Sequence, residues 1–252
     1  MEHAASDIYE AWLACCMTAT VSAISSNLQQ VRRRIEDACL RAGRRSSDVR
    51  LVAVTKYARP QWIRELTNLG VADLGESRPQ QLLERTRQFA KDVRWHLIGH
   101  LQRNKVRRVL PLATLIHSVD SLRLLTTIDQ IAADLQLQPR LLLEVNVSGE
   151  AAKDGFSTDE LLAGWSTVCE CRNVKIEGLM ALAPDSDIPE ASRPVFRSLR
   201  QLRDKIVAEL PPCGELRELS MGMSGDFEVA IEEGATLVRI GSELFRGLIE
   251  ND

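Results

Sequence analysis

The chain is poor in the features that mark several common functions. Aromatic residues make up 4 % of its 252 residues, too few to suggest a platform for stacking bases. No Gly-x-Gly-x-x-Gly and no Walker pattern occurs, so the usual signatures of dinucleotide and nucleoside triphosphate sites are missing. The six cysteines, Cys15, Cys16, Cys39, Cys169, Cys171 and Cys213, form no Cys-x-x-Cys pair and no disulfide framework. Cys169 and Cys171 fall on a predicted helix and point in different directions, a poor arrangement for sharing a metal. Reduced thiols in a reducing, cytoplasmic compartment are the expectation. His3, His96, His100 and His117 show no metal-ligand spacing. The apolar stretch over residues 12–17 follows Glu2, Asp7 and Glu10 without a basic segment, which makes it a poor secretory signal and too short to cross a bilayer. A net charge of −3 gives no global pull toward nucleic acid or a membrane.

What remains is ordinary for a soluble globular protein: 44 % hydrophobic and 27 % charged residues. Residues 1–20 read as an extension outside the fold, frayed or a short helix, and residues 21–252 as one domain. A basic amphipathic helix is expected over 25–42, closed by Gly43, with Arg32-Arg33-Arg34 as a solvated face. Strands are then expected over 49–56, 72–75, 94–98, 115–119, 140–147, 174–179, 216–221 and 235–240. A helix follows each: 60–69, from 79, from 102, 121–135, 158–171, 189–210, 226–233 and from 242. Eight strand–helix units fit an α/β chain folded as a single (β/α)8 TIM barrel with an extra N-terminal helix. A doubly wound open sheet has the same periodicity.

A barrel works at the C-terminal ends of its strands. Lys56 ends the run Leu51-Val52-Ala53-Val54-Thr55. A lysine leaving a buried strand is poorly solvated and gives up its proton readily, and a neutral amine can form a Schiff base. Its neighbour Tyr57 is expected on the other face, a poor general acid. The loops after strands seven and eight hold Ser220, Gly222, Ser224 and Gly225, then Gly241 and Ser242. Barrels commonly hold a phosphate there. An amine and a phosphate cradle together suit pyridoxal 5′-phosphate, or a sugar-phosphate aldolase using its own lysine. An arginine cannot accept a proton from a ring nitrogen, so Arg239 facing the pyridine would leave the ring neutral, a weaker electron sink. In the strand Trp95-His96-Leu97, His96 reads as a packing residue.

In order from about residue 25, the segments Val52-Ala53-Val54-Thr55-Lys56, Leu74-Gly75-Glu76, Trp95-His96-Leu97-Ile98-Gly99-His100, Glu144-Val145-Asn146-Val147-Ser148-Gly149-Glu150, Gly178-Leu179-Met180-Ala181, Leu219-Ser220-Met221-Gly222-Met223-Ser224-Gly225-Asp226 and Val238-Arg239-Ile240-Gly241-Ser242 resemble the pyridoxal phosphate homeostasis protein family, the YggS-type proteins. The resemblance implies a fold-type III barrel like the N-terminal domain of alanine racemase. It implies the cofactor as a Schiff base on Lys56, the phosphate held by Ser220 and the backbone near Gly241 and Ser242, and Arg239 at the ring nitrogen. Asn146 and Met180 complete the expected pocket with Ser77. That serine stands where the family usually has asparagine, in Gly75-Glu76-Ser77-Arg78. The resemblance also implies a cytoplasmic carrier in vitamin B6 homeostasis, without robust catalysis, expected as a monomer meeting apo-enzymes transiently. The alternative is a racemase-like enzyme on amino acids. Racemases of this fold add a second domain and an opposing tyrosine, for which the chain is expected to have no room.

Overall fold

The computed structural model describes residues 2–89, 92–149 and 154–248, with side chains from residue 20 onward. Glu150, part of the fourth matching segment, lies outside the described residues. Eight parallel strands close into a barrel in sequence order: β1 (Arg50–Val54), β2 (Asp73–Glu76), β3 (Arg94–Leu97), β4 (Leu115–Val119), β5 (Arg140–Glu144), β6 (Lys175–Met180), β7 (Glu218–Ser220) and β8 (Leu237–Ile240). β1 closes the ring against β8, with Val52 opposite Arg239. Inside, Val52, Leu115, Leu142, Met180 and Leu237 form one buried apolar layer. The larger core lies between the strands and the outer helices.

Local sequence accounts for most of the helices. Pro60 and Pro79 open α2 (Pro60–Asn68) and α3 (Pro79–Gln88) at the first turn, where a missing N–H costs nothing. Ser121 caps α5 (Leu122–Leu135), which follows the single-turn α4 (Val106–Val109). The expected helix over 158–171 is two, α6 (Thr158–Ala163) and α7 (Trp165–Glu170), joined at Gly164. A β-carbon at Gly164 would sit 2.7 Å from Leu122 Cδ1, so the leucine side chain would have to shift to admit one. α8 (Arg193–Glu209) and α9 (Phe227–Glu232) follow β6 and β7. The last expected helix is a 3-10 turn, Ser242–Phe245.

The N-terminal helix α1 runs from Glu2 to Arg41, across the boundary expected near residue 20. Ile24, Leu28, Val31, Ile35 and Ala38 are buried at helical spacing against the barrel. Of the three arginines, Arg32 and Arg33 are exposed, as expected of a solvated face, and Arg34 is half-buried. Arg34 pairs with Glu228 and Glu243, and Arg32 bonds the Leu69 carbonyl. Among the described residues no helix is long and apolar enough to cross a membrane. The described cysteines Cys39, Cys169, Cys171 and Cys213 are free thiols, and no described cluster suits a metal. Cys169 Sγ donates to Pro211 O at 3.6 Å and Cys171 Sγ to Thr167 O at 3.4 Å, so the two thiols take different partners.

Candidate functional site

The polar side chains of interest gather at the C-terminal end of the barrel. In β1, Val52 faces the interior layer, and a period of two carries Val54 to the same face. Lys56 follows the strand in a turn closed by Ala58 N donating to Thr55 O at 2.9 Å. Lys56 is exposed rather than buried, so the poor solvation expected of it is not found. Its Nζ lies 5.0 Å from the centroid of the Tyr57 ring. The tyrosine therefore sits beside the lysine, not on the opposite face, because the chain has already left the strand. α3 grips this turn: Gln81 Nε2 donates to Lys56 O at 2.9 Å and Arg85 Nη2 to Ala58 O at 2.6 Å. Thr55 Oγ1 donates to Glu76 Oε1 at 2.6 Å. Burial pushes the Glu76 carboxyl pKa up against the pull of Thr55 and Arg85.

Ser77 is half-buried in the β2 exit, packed against the β3 exit. A β-carbon on Gly99 would lie 2.3 Å from the Ser77 carbonyl oxygen. Backbone cannot yield as a side chain does, so Gly99→Ala should destabilise the protein by about 3 kcal/mol. Urea unfolding measures this, and an unchanged midpoint would mean that the two exits can separate freely.

The β7 and β8 exits are stitched together. Gly222 has φ +88°, and a β-carbon there would meet Ala230 Cβ at 2.5 Å; only glycine turns this corner. Asp226 Oδ1 accepts from Met223 N at 2.6 Å. Ser224 Oγ accepts from Gly241 N at 3.2 Å, joining the two loops. Gly241 also passes β1, where a β-carbon would lie 3.2 Å from Val54 Cβ. Ser242 is exposed beside it. Ser224, Gly241, Ser242 and the Lys56 turn thus border one mouth.

Below that mouth Arg239 is 3 % exposed. Its Nη1 donates to Ser220 Oγ at 2.6 Å and its Nη2 to Ala181 O at 3.0 Å. Both partners are neutral, and among the described residues no carboxylate reaches it as an ion pair. Burial lowers its pKa to about 10, against the opposing fields of Glu144 and Asp226. Glu144, at the inner end of β5, is 7 % exposed. Burial pushes its pKa up to about 7, Asp120 and Asp154 add to the rise, and Arg239 counters it.

Ser220 and Arg239 are therefore in contact, as are Ser224 and Gly241. Met180 lies fully inside, in register with Ser220 and Glu144. Asn146 is half-buried and closes its own loop: its Oδ1 accepts from Ser148 Oγ at 3.0 Å and Gly149 N at 3.1 Å. Sequence reading missed Glu144 and His117 as members of the site. The available signal was strand parity: each is a polar residue at an inward position of a barrel strand. Two clefts of about 290 and 580 Å³ lie at the opposite end of the barrel, near Arg50 and Arg94 and near Arg140 and Glu218.

The family model for the alanine racemase N-terminal domain matches residues 20–248. A pyridoxal phosphate homeostasis protein of Aquifex aeolicus is 43 % identical over 219 residues, 86 % of this chain and 95 % of the relative. The chain belongs to the pyridoxal phosphate homeostasis protein family. The structure of the PipY protein of Synechococcus elongatus with PLP bound superposes with a TM-score of 0.75 at 34 % identity, covering 85 % of this chain and 99 % of that one. Alanine racemase of Corynebacterium glutamicum, 14 % identical, superposes with a TM-score of 0.69 over 92 % of this chain and 64 % of the racemase. That likeness shows the fold alone, the fold-type III barrel expected from the sequence.

Proposed function

We propose that this protein binds pyridoxal 5′-phosphate and carries it on Lys56 in intracellular vitamin B6 homeostasis. The buried Arg239 carries the reading. A guanidinium without a carboxylate partner is costly for stability, and it suits a ligand atom with a lone pair, such as a pyridine nitrogen. The family name of the relatives and the PLP bound to PipY support the same reading. Lys56 would be the residue that holds the cofactor covalently, through the aldehyde that pyridoxal phosphate would supply.

The chain's own groups divide the rest of the work. Ser224, Gly241 and Ser242 border the mouth and would hold the phosphate. Ser220 is fully buried and bonded to His117 Nδ1 at 2.8 Å and to Arg239, so it serves Arg239 rather than the phosphate. Met180 and Asn146 would flank the ring, with Ser77 at the rim. Tyr57 is no opposing base, because it lies beside Lys56. Catalysis by two opposed proton-transfer groups therefore finds one partner at most. Glu144, poised near neutrality, gives the racemase-like alternative its one foothold. A cytoplasmic monomer that meets apo-enzymes transiently completes the proposal.

The test is titration of the protein with pyridoxal phosphate, borohydride reduction, peptide mapping and transfer to an apo-enzyme. We expect a visible band, a reduced adduct on Lys56, reactivation of the apo-enzyme and no racemisation of amino acids. Racemisation that Glu144→Gln abolishes would replace the carrier with an enzyme. Absence of any band would end the proposal.

A further inference from the structure

A line of hydrogen bonds crosses the barrel interior from its N-terminal end to Arg239. Arg94 grips Asp73 twice, Nε to Oδ1 at 2.8 Å and Nη2 to Oδ2 at 2.6 Å. Asp73 Oδ1 lies 3.0 Å from His96 Nε2. His96 Nδ1 lies 2.9 Å from His117 Nε2. His117 Nδ1 lies 2.8 Å from Ser220 Oγ, and Ser220 Oγ accepts from Arg239 Nη1 at 2.6 Å. All five residues from Asp73 to Arg239 are buried.

The two ends fix the direction of every bond between them. A guanidinium only donates. Burial pushes the Asp73 carboxyl up, but Arg94 and His96 outweigh it and hold the group well below the usual carboxylate range; an ionised carboxylate only accepts. Burial lowers the pKa of both imidazoles. For His96, Asp73 opposes that fall while Arg50 and Arg140 add to it; for His117, His96, Arg239 and Arg50 add to it. Each neutral ring has one donor and one acceptor. His96 must then donate from Nε2 to Asp73, leaving Nδ1 to accept. His117 must donate from Nε2 to His96, leaving its Nδ1 to accept the Ser220 hydroxyl hydrogen. Ser220 is left as an acceptor for Arg239. A reversed order would leave two acceptors facing each other at Asp73.

A barrel normally fills its interior with aliphatic layers, and apolar replacements of buried polar groups are often neutral or stabilising. Stability alone therefore gives no reason for this line. We infer that Asp73, His96, His117 and Ser220 form a one-directional hydrogen-bonded chain that pins the Arg239 guanidinium for the cofactor ring. His96 and His117 are then positioning residues. The inference rests on the proposed role of Arg239 toward pyridoxal phosphate.

Two measurements test it. Long-range ¹H–¹⁵N spectra of the ligand-free protein at neutral pH should show His96 and His117 as neutral rings protonated at Nε2. A proton on Nδ1 of either ring overturns the chain. Second, His117→Asn keeps an oxygen able to accept from Ser220, and His117→Phe does not. Loss of one buried hydrogen bond predicts a dissociation constant for pyridoxal phosphate roughly five- to tenfold higher in His117→Phe. In His117→Asn the change should stay within about twofold. Equal affinities overturn the positioning role. If His117→Phe does not fold, Ser220→Ala cuts the same link with the loss of one oxygen atom and carries the same expectation. A wild type that forms no covalent adduct would refute the cofactor reading and the positioning role together, while the ring protonation states still report on the chain itself.

Discussion

Lys56→Ala protein mixed with pyridoxal phosphate should give no visible band and no borohydride-stable adduct. It should release the cofactor on gel filtration, with affinity lower by roughly a hundredfold, about 2.7 kcal/mol. The covalent link requires an amine at the barrel mouth. Lys175 opens β6 at the opposite end and Lys205 lies on the outer helix α8. Among the described lysines, Lys105, in the turn after β3, is the one that peptide mapping must separate from Lys56; Lys91 and Lys153 lie outside the described residues. Without the link, Arg239 and the donors around Ser224 and Gly241 still bind weakly, so the expected loss is large but not total. The amine must leave the face of Tyr57 to reach the interior. An exposed cation–π contact is worth about 0.5–1 kcal/mol, so Tyr57→Ala should change affinity by about fivefold at most. An adduct that persists on another lysine in Lys56→Ala would remove Lys56 from the site.

The order of strands and helices was legible because strands such as β1 and β4 are short apolar runs and helices such as α2, α3, α5 and α6 open on proline or serine. Residues 158–171 misled because Gly164, a weak point in a helical pattern, was read through, whereas the chain breaks there into α6 and α7. Lys56 misled in the same way. Its run was read as buried to the end, but the chain turns at Thr55 and frees the lysine. The cradle glycines were legible, since Gly222 and Gly241 stand where backbones must approach. The interior was least legible. His96 reads as a packing residue, which its burial fits, yet its partners lie 21 residues away at His117 and 23 away at Asp73. Only closure of the barrel brings them together. Ser220 read as a phosphate donor; in the hydrogen-bonded chain we infer, its hydroxyl hydrogen goes inward to His117 instead.

Glu144→Gln should remove a pH dependence from the stability of the ligand-free protein. In the unfolded chain this carboxyl titrates near about 4.3; burial in the fold raises it to about 7. Between those values the folded state binds more protons than the unfolded state. The stability that Glu144 allows is thus complete below about pH 4.3 and is lost as pH rises to about 7, by about 3 kcal/mol in all. The amide of glutamine stays neutral throughout. Urea unfolding at pH 4 should find the two proteins alike, and at pH 8 Glu144→Gln should be more stable by about 3 kcal/mol. His96 and His117 act in the opposite sense. Their lowered values let the unfolded chain take up protons first as pH falls below about 6.5, which costs stability on the acid side. That slope is common to both proteins and cancels in their difference. Parallel profiles would mean that Glu144 is ionised against Arg239. The site would then hold a buried ion pair, and the guanidinium would no longer be short of a partner for the ring nitrogen to supply.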